Sequence, residues 1–64
     1  MTGYRFKIGQ SVHFRAAARL RAPPGIYRII QRLPAEKDQL RYLIRSLDEE
    51  EYEQIANESD LGKI

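Results

Sequence analysis

A chain of 64 residues with no cysteine has room for one hydrophobic core, buries only about 60% of its unfolded surface, and has no disulfide or thiolate metal site to reinforce it. This excludes two domains and leaves the fold resting on apolar side chains or on self-association. The net charge of +2 gives little weight to a calculated pI near 9.2 as a nucleic-acid signature.

That small net charge hides a divided chain. Seven bases and no acid precede Glu36, giving +7, whereas four bases against nine acids from Glu36 onward give −5. Such polarity either pairs internally or faces a charged partner. Residues 1–10 alternate apolar and polar and lack the apolar core of a secretory signal, and no later run is long enough to span a bilayer. The expectation is a soluble cytoplasmic protein with no membrane partner.

In chain order, Tyr4, Phe6 and Ile8 alternate before Gly9-Gln10, and Val12 and Phe14 alternate after it, which predicts extended segments joined by a glycine turn. His13, between Val12 and Phe14, is expected to point outward. Ala16-Ala17-Ala18 with Leu20 could form one helical turn, but Pro23-Pro24-Gly25 ends it, so Arg15 to Pro24 reads as a long basic loop. From Ile26 to Leu33 β-branched and aromatic residues dominate, Pro34 ends the run, and Leu40 to Ser46 repeats the pattern after a polar turn. These two segments predict a hairpin.

Strand alternation assigns the hairpin its faces. Tyr27, Ile29, Leu33, Leu40, Tyr42 and Ile44 take the inner side. With Leu33 opposite Leu40, Ile29 faces Ile44, Arg32 faces Arg41, Ile30 faces Leu43 and Arg28 faces Arg45. Arg28, Arg32, Arg41 and Arg45 then ring two outward aliphatics, Ile30 and Leu43. Opposed like charges destabilise a sheet by up to about 1 kcal/mol, so acidic groups are expected nearby.

The chain's own acidic segment, Asp48 to Glu53, can supply them. If Tyr52 to Ala56 is the next strand with Tyr52 and Ala56 inward, Glu51 and Glu53 emerge beside Arg45 and Arg41, although Ile55 is then turned outward unless a bulge intervenes. A helix competes for the same residues: Ser46 and Glu49 match a capping box, acids crowd the first turn, and Tyr52, Ile55 and Ala56 share a helical face. Local signals favour the helix.

The series Phe6-x-x-Gly9-Gln10-x-Val12-x-Phe14, Pro24-Gly25-x-Tyr27-x-Ile29 with Leu33-Pro34, Tyr42-x-Ile44-Arg45-Ser46 and Glu58-Ser59-x-Leu61 resembles a family of small uncharacterised bacterial proteins. Their fold resembles an SH3-like β-barrel of the broad KOW and Tudor group. The resemblance covers most of the chain and rests on core and turn positions, so it speaks to fold and hardly to function. It implies an all-β domain over 1–64, five short strands in a partly open barrel, with a strand rather than a helix before Glu58. It further implies a short helical turn at Glu58 to Leu61, with Leu61 plugging one end. Phe6, Val12, Phe14, Tyr27, Ile29, Leu33, Tyr42, Ile44 and Leu61 are the expected core.

Little in the sequence suggests catalysis. There is one histidine, no serine or threonine in a nucleophile-elbow context, and no glycine-rich loop before a helix. Asp48 to Glu51 lacks the alternating ligands and central glycine of a calcium loop, and Phe6, Phe14, Tyr27 and Tyr42 have core parity rather than the placement of an aromatic cage. The expectation is a non-enzyme without cofactor or metal. Two binding roles follow. In the first, Arg28, Ile30, Arg32, Arg41, Leu43 and Arg45 form an arginine-rimmed face for protein interaction or self-association. In the alternative, Arg15, Arg19 and Arg21 of the basic loop join Arg28 and Arg32 to contact nucleic-acid phosphates.

Overall fold

The computed structural model describes residues 3–64. It is all-β: β1 (Ser11–Phe14), β2 (Ile26–Glu36), β3 (Gln39–Ser46), β4 (Glu53–Asn57) and β5 (Leu61–Lys63), with a single 3-10 turn at Glu58–Asp60. All pairings are antiparallel, in the order β4-β3-β2-β1-β5. The sheet is not closed, because β4 and β5 form its two edges. It nevertheless curls around one core: the radius of gyration is 10.8 Å, against about 10.7 Å for a compact chain of this length.

The inward residues of each strand make that core. Val12, Phe14, Tyr27, Ile29, Tyr42, Ile44, Ala56 and Leu61 are buried, and Phe6 joins them from the segment before β1. Aromatic rings pack edge to face in two groups, Tyr4 and Phe6 against Tyr42 at one end, and Phe14 and Tyr52 against Tyr27 at the other. Of the nine expected core residues only Leu33 falls short, being half-buried.

Residues 15–25 form a loop, as the prolines require, but one that closes over the core. Leu20 N donates to Ala16 O and Ala22 N to Ala17 O, winding the chain tightly enough to bury Ala16, Ala17 and Ala22. Gly25 ends the loop at φ 105°, where an added Cβ would stand 2.5 Å from Asp48 Oδ2; only glycine meets both demands without strain.

Several expectations are corrected. Tyr4 to Ile8 is not an extended strand: it bends, Ile8 is exposed, and the turn at Gly9 docks on β2 through Gly9 N to Ile29 O. Pro34 does not end β2, which continues to Glu36 and turns at Lys37-Asp38, both with positive φ. Pro34 sits inside a register irregularity between Leu33 and Glu36, so its missing N–H breaks no ladder bond. The helix that local signals favour over 48–57 is absent, and the strand that the resemblance implies before Glu58 is present as β4. Ser46 does cap, its Oγ accepting from the Asp48 and Glu49 amides at 3.2 and 3.0 Å. It caps one turn, which returns the chain through Ser46 N to Tyr52 O into β4.

Below the sheet, Tyr42 ties the ends of the chain together. Its hydroxyl donates to Glu58 Oε2 at 2.5 Å and accepts from Phe6 N at 3.3 Å, while Arg5 N donates to the same Glu58 oxygen at 2.9 Å. Burial, then the bond to Glu58, pushes the Tyr42 hydroxyl up to about 12.

Candidate interaction face

The outer side of β2, β3 and β4 is organised in rows by the register. The first row is Arg28, Arg45, Glu53; the second is Gln31, Leu43, Ile55; the third is Leu33, Arg41, Asn57. Ile30 is the extra residue of a β-bulge between Ile29 and Gln31, and it lines a hollow with Arg28, Arg45, Glu50 and Glu51. Ile30, Leu43 and Ile55 therefore form an aliphatic band across three strands, between two rows that carry arginines. Ile30 and Leu43 are half-buried and Ile55 is 50% exposed. The band runs out to the free edge at β4.

The bulge decides which expected residues come together. Ile29↔Ile44 and Arg28↔Arg45 pair as the alternation predicts, so Arg28, Ile30, Arg41, Leu43 and Arg45 share the outer face. Beyond Ile30 the parity of β2 is reversed. Arg32 therefore faces Tyr42 instead of Arg41, and its guanidinium lies 5.3 Å from the Tyr4 ring centroid on the inner side. Arg32 is not part of the arginine rim, and Leu33 takes the outward place opposite Arg41. Arg41 meets no glutamate: it faces Asn57, and its Nε donates to Pro34 O at 3.2 Å.

The charge division is partly resolved within the fold. Among the described residues two ion pairs form. Arg45 reaches Glu53 Oε2 with Nε at 3.0 Å and Nη2 at 2.6 Å, and Arg19 approaches Asp60 at 3.9 Å. The acidic turn sits between basic groups, Asp48 and Glu49 sharing a hollow with Arg21, and Glu50 and Glu51 one with Arg28 and Arg45. Exposed pairs of this kind contribute about 0–1 kcal/mol each, so they orient the face more than they stabilise it.

The basic residues proposed for nucleic acid do not form one surface. Arg15 lies across Gly62 of β5, where an added Cβ would be 3.0 Å from its Nε. Arg19 leans to Asp60, Arg21 lies beside the acidic turn, and Arg28 and Arg32 sit on opposite sides of the sheet. A separate open groove of about 650 Å³ gathers His13, Arg15 and Lys63 beside Pro24, with no carboxylate in its lining. His13 is exposed on β1 between Ile26 and Gly62. Among the described residues no three His, Asp or Glu side chains converge as metal ligands, and no helix is long and apolar enough to cross a membrane.

Ile55 is the residue that sequence reasoning did not include. The signal was present, since a strand with Ala56 inward must turn Ile55 outward, yet an outward isoleucine counted against the strand. Comparison of the chain with protein-family models, curated proteins and solved structures finds no match.

Proposed function

We propose that this chain is a non-catalytic docking module, an SH3-like and partly open barrel that engages protein through the outer face of β2, β3 and β4. The strand order with a 3-10 turn before β5 supports the barrel reading. The observation that carries the functional one is the band Ile30–Leu43–Ile55, lying between rows that hold Arg28, Arg45, Glu53 and Arg41. Apolar centres rimmed by arginine are what protein interfaces select: the aliphatics lose water on contact, and the rim guanidiniums supply orientation and specificity. The non-catalytic part rests on the solitary, surface-lying His13.

A display selection of peptides against the wild-type protein tests this directly. Binders that are lost on Leu43→Lys and kept on Arg15→Ala are expected. Binders indifferent to Leu43→Lys would refute the face.

A second reading has its own observation, the carboxylate-free groove of His13, Arg15 and Lys63, which could follow a nucleic-acid backbone. Two or three phosphate contacts there would make log affinity fall with log salt at a slope of about −2 to −3. A gel shift at low salt, lost on Arg15→Ala with Lys63→Ala, is its signature.

A further inference from the structure

We infer that the occupant of this face is a second copy of the same chain, with β4 pairing antiparallel to β4 of that copy in a register centred on Ile55. The inference rests on the docking face proposed above and names its partner.

The two edges of the sheet differ in how they are protected. β5 is three residues long, carries Lys63, and has Arg15 laid across Gly62; shortness and a lysine are the usual devices that block edge pairing. β4 has five residues, Glu53–Asn57, no proline, no lysine and an uninterrupted register against β3. Gln54 Nε2 donates to Ile55 O at 3.0 Å at the surface, a local bond that a partner strand replaces. An edge this regular, bearing a half-exposed isoleucine, is a template for another strand.

Side-chain parity and charge then select one register. Opposed residues of an antiparallel pair lie on the same face, so the two-fold axis must pass through a residue, not between two, or Ile55 would meet an inward position. Centring on Glu53 opposes two like charges, and centring on Asn57 sets Asn57 against itself and leaves Ile55 beyond the paired strand. Centring on Gln54 or Ala56 sets Ile55 against Glu53 or Asn57. Centring on Ile55 places Ile55 on Ile55, Gln54 on Ala56 and Glu53 on Asn57, over all five residues. The two Glu53 carboxylates are then about 14 Å apart along the strands, beyond a Debye length of about 8 Å at physiological salt. Each Glu53 lies between Arg45 of its own copy and Asn57 of the other, with Arg41 one strand further. The bands Ile30–Leu43–Ile55 join end to end across the axis, giving a self-complementary contact of two-fold type.

The absence of native cysteine makes the register measurable by single-cysteine oxidation. Directly opposed strand residues have Cα atoms about 4.5–5.5 Å apart, within disulfide reach. Ile55→Cys is expected to oxidise to a covalent dimer. Glu53→Cys and Asn57→Cys are each expected to stay free of the covalent link alone and to cross-link when mixed. Charge variants give a reading independent of oxidation: Ile55→Lys and Ile55→Glu should each raise the dimer dissociation constant by ~10-fold or more, and an equimolar mixture should restore association. An Ile55→Cys that fails to cross-link, equal cross-linking of all three single variants, or no rescue on mixing would each overturn the inference. If those occur while Leu43-dependent peptide binding persists, the pairing fails and the docking face stands. If peptide binding ignores Leu43 as well, the face itself has failed.

Discussion

Removing one oxygen from the core should cost this protein a large part of its stability. In Tyr42→Phe the ring packing is kept, but the bond donated to the Glu58 carboxylate at 2.5 Å and the acceptor of the Phe6 amide are both lost. A hydrogen bond to a charged group contributes about 1.5–3 kcal/mol and a buried amide left unpaired costs about 1–3 kcal/mol. Glu58 is half-buried and keeps its bond from Arg5 N, and the 3.3 Å bond to Phe6 is long, so the loss should be about 2–4 kcal/mol. A chain of this size has about 3–10 kcal/mol in total. Urea denaturation followed by circular dichroism measures the change, with Tyr52→Phe as control. The Tyr52 hydroxyl meets Gln54 Oε1 nearer the surface, and its removal should cost below about 1 kcal/mol. The pH dependence carries the same signature. Because the folded Tyr42 titrates at about 12 instead of 10, its contribution is complete below pH 10 and is lost as pH rises through about 12, a decline of about 2–3 kcal/mol. Tyr42→Phe removes that share of the decline, while Tyr27, whose hydroxyl burial also raises, continues to contribute in both proteins. Equal urea midpoints for wild type and Tyr42→Phe would refute the reasoning.

Other substitutions test other parts of the fold. Leu43→Lys should shift unfolding free energy by no more than about 1 kcal/mol, because its side chain lies on the outer face; loss of the native circular dichroism spectrum would place it in the core. Gly25→Ala should destabilise by about 1–3 kcal/mol and by more than Gly9→Ala, since Gly9 has open space where Gly25 meets Asp48; thermal melts of the two variants decide. Ala16→Leu should cost about 1–3 kcal/mol by overpacking the buried loop, and an unchanged melting temperature would mean that residues 15–25 do not close over the core.

Alternation was enough to find the hairpin and its Ile29↔Ile44 and Arg28↔Arg45 pairs, because only one parity keeps arginines out of a small core. It could not find the bulge at Ile30. No glycine or proline marks the run Ile29-Ile30-Gln31, so the parity change that sends Arg32 to Tyr4 has no local sign. Local propensity misleads at residues 48–57. The capping signal at Ser46 is real, but pairing with β3 buries Ala56, which an isolated helical turn would not achieve. The loop alanines carry no periodic signal, and their burial follows from how residues 15–25 wind back on themselves. Ile55 was legible as outward and became meaningful only beside a free strand edge, a property of the whole sheet.

A dilution series of the ¹⁵N-labelled protein, read amide by amide, tests the central claim most directly. Contact through the outer face and the β4 edge predicts concentration-dependent shifts at Leu43, Gln54, Ile55 and Ala56, with residues 15–24 unmoved and the shifts abolished by Ile55→Lys. Shifts confined to His13, Arg15 and the basic loop, with β4 silent at every concentration, would contradict it.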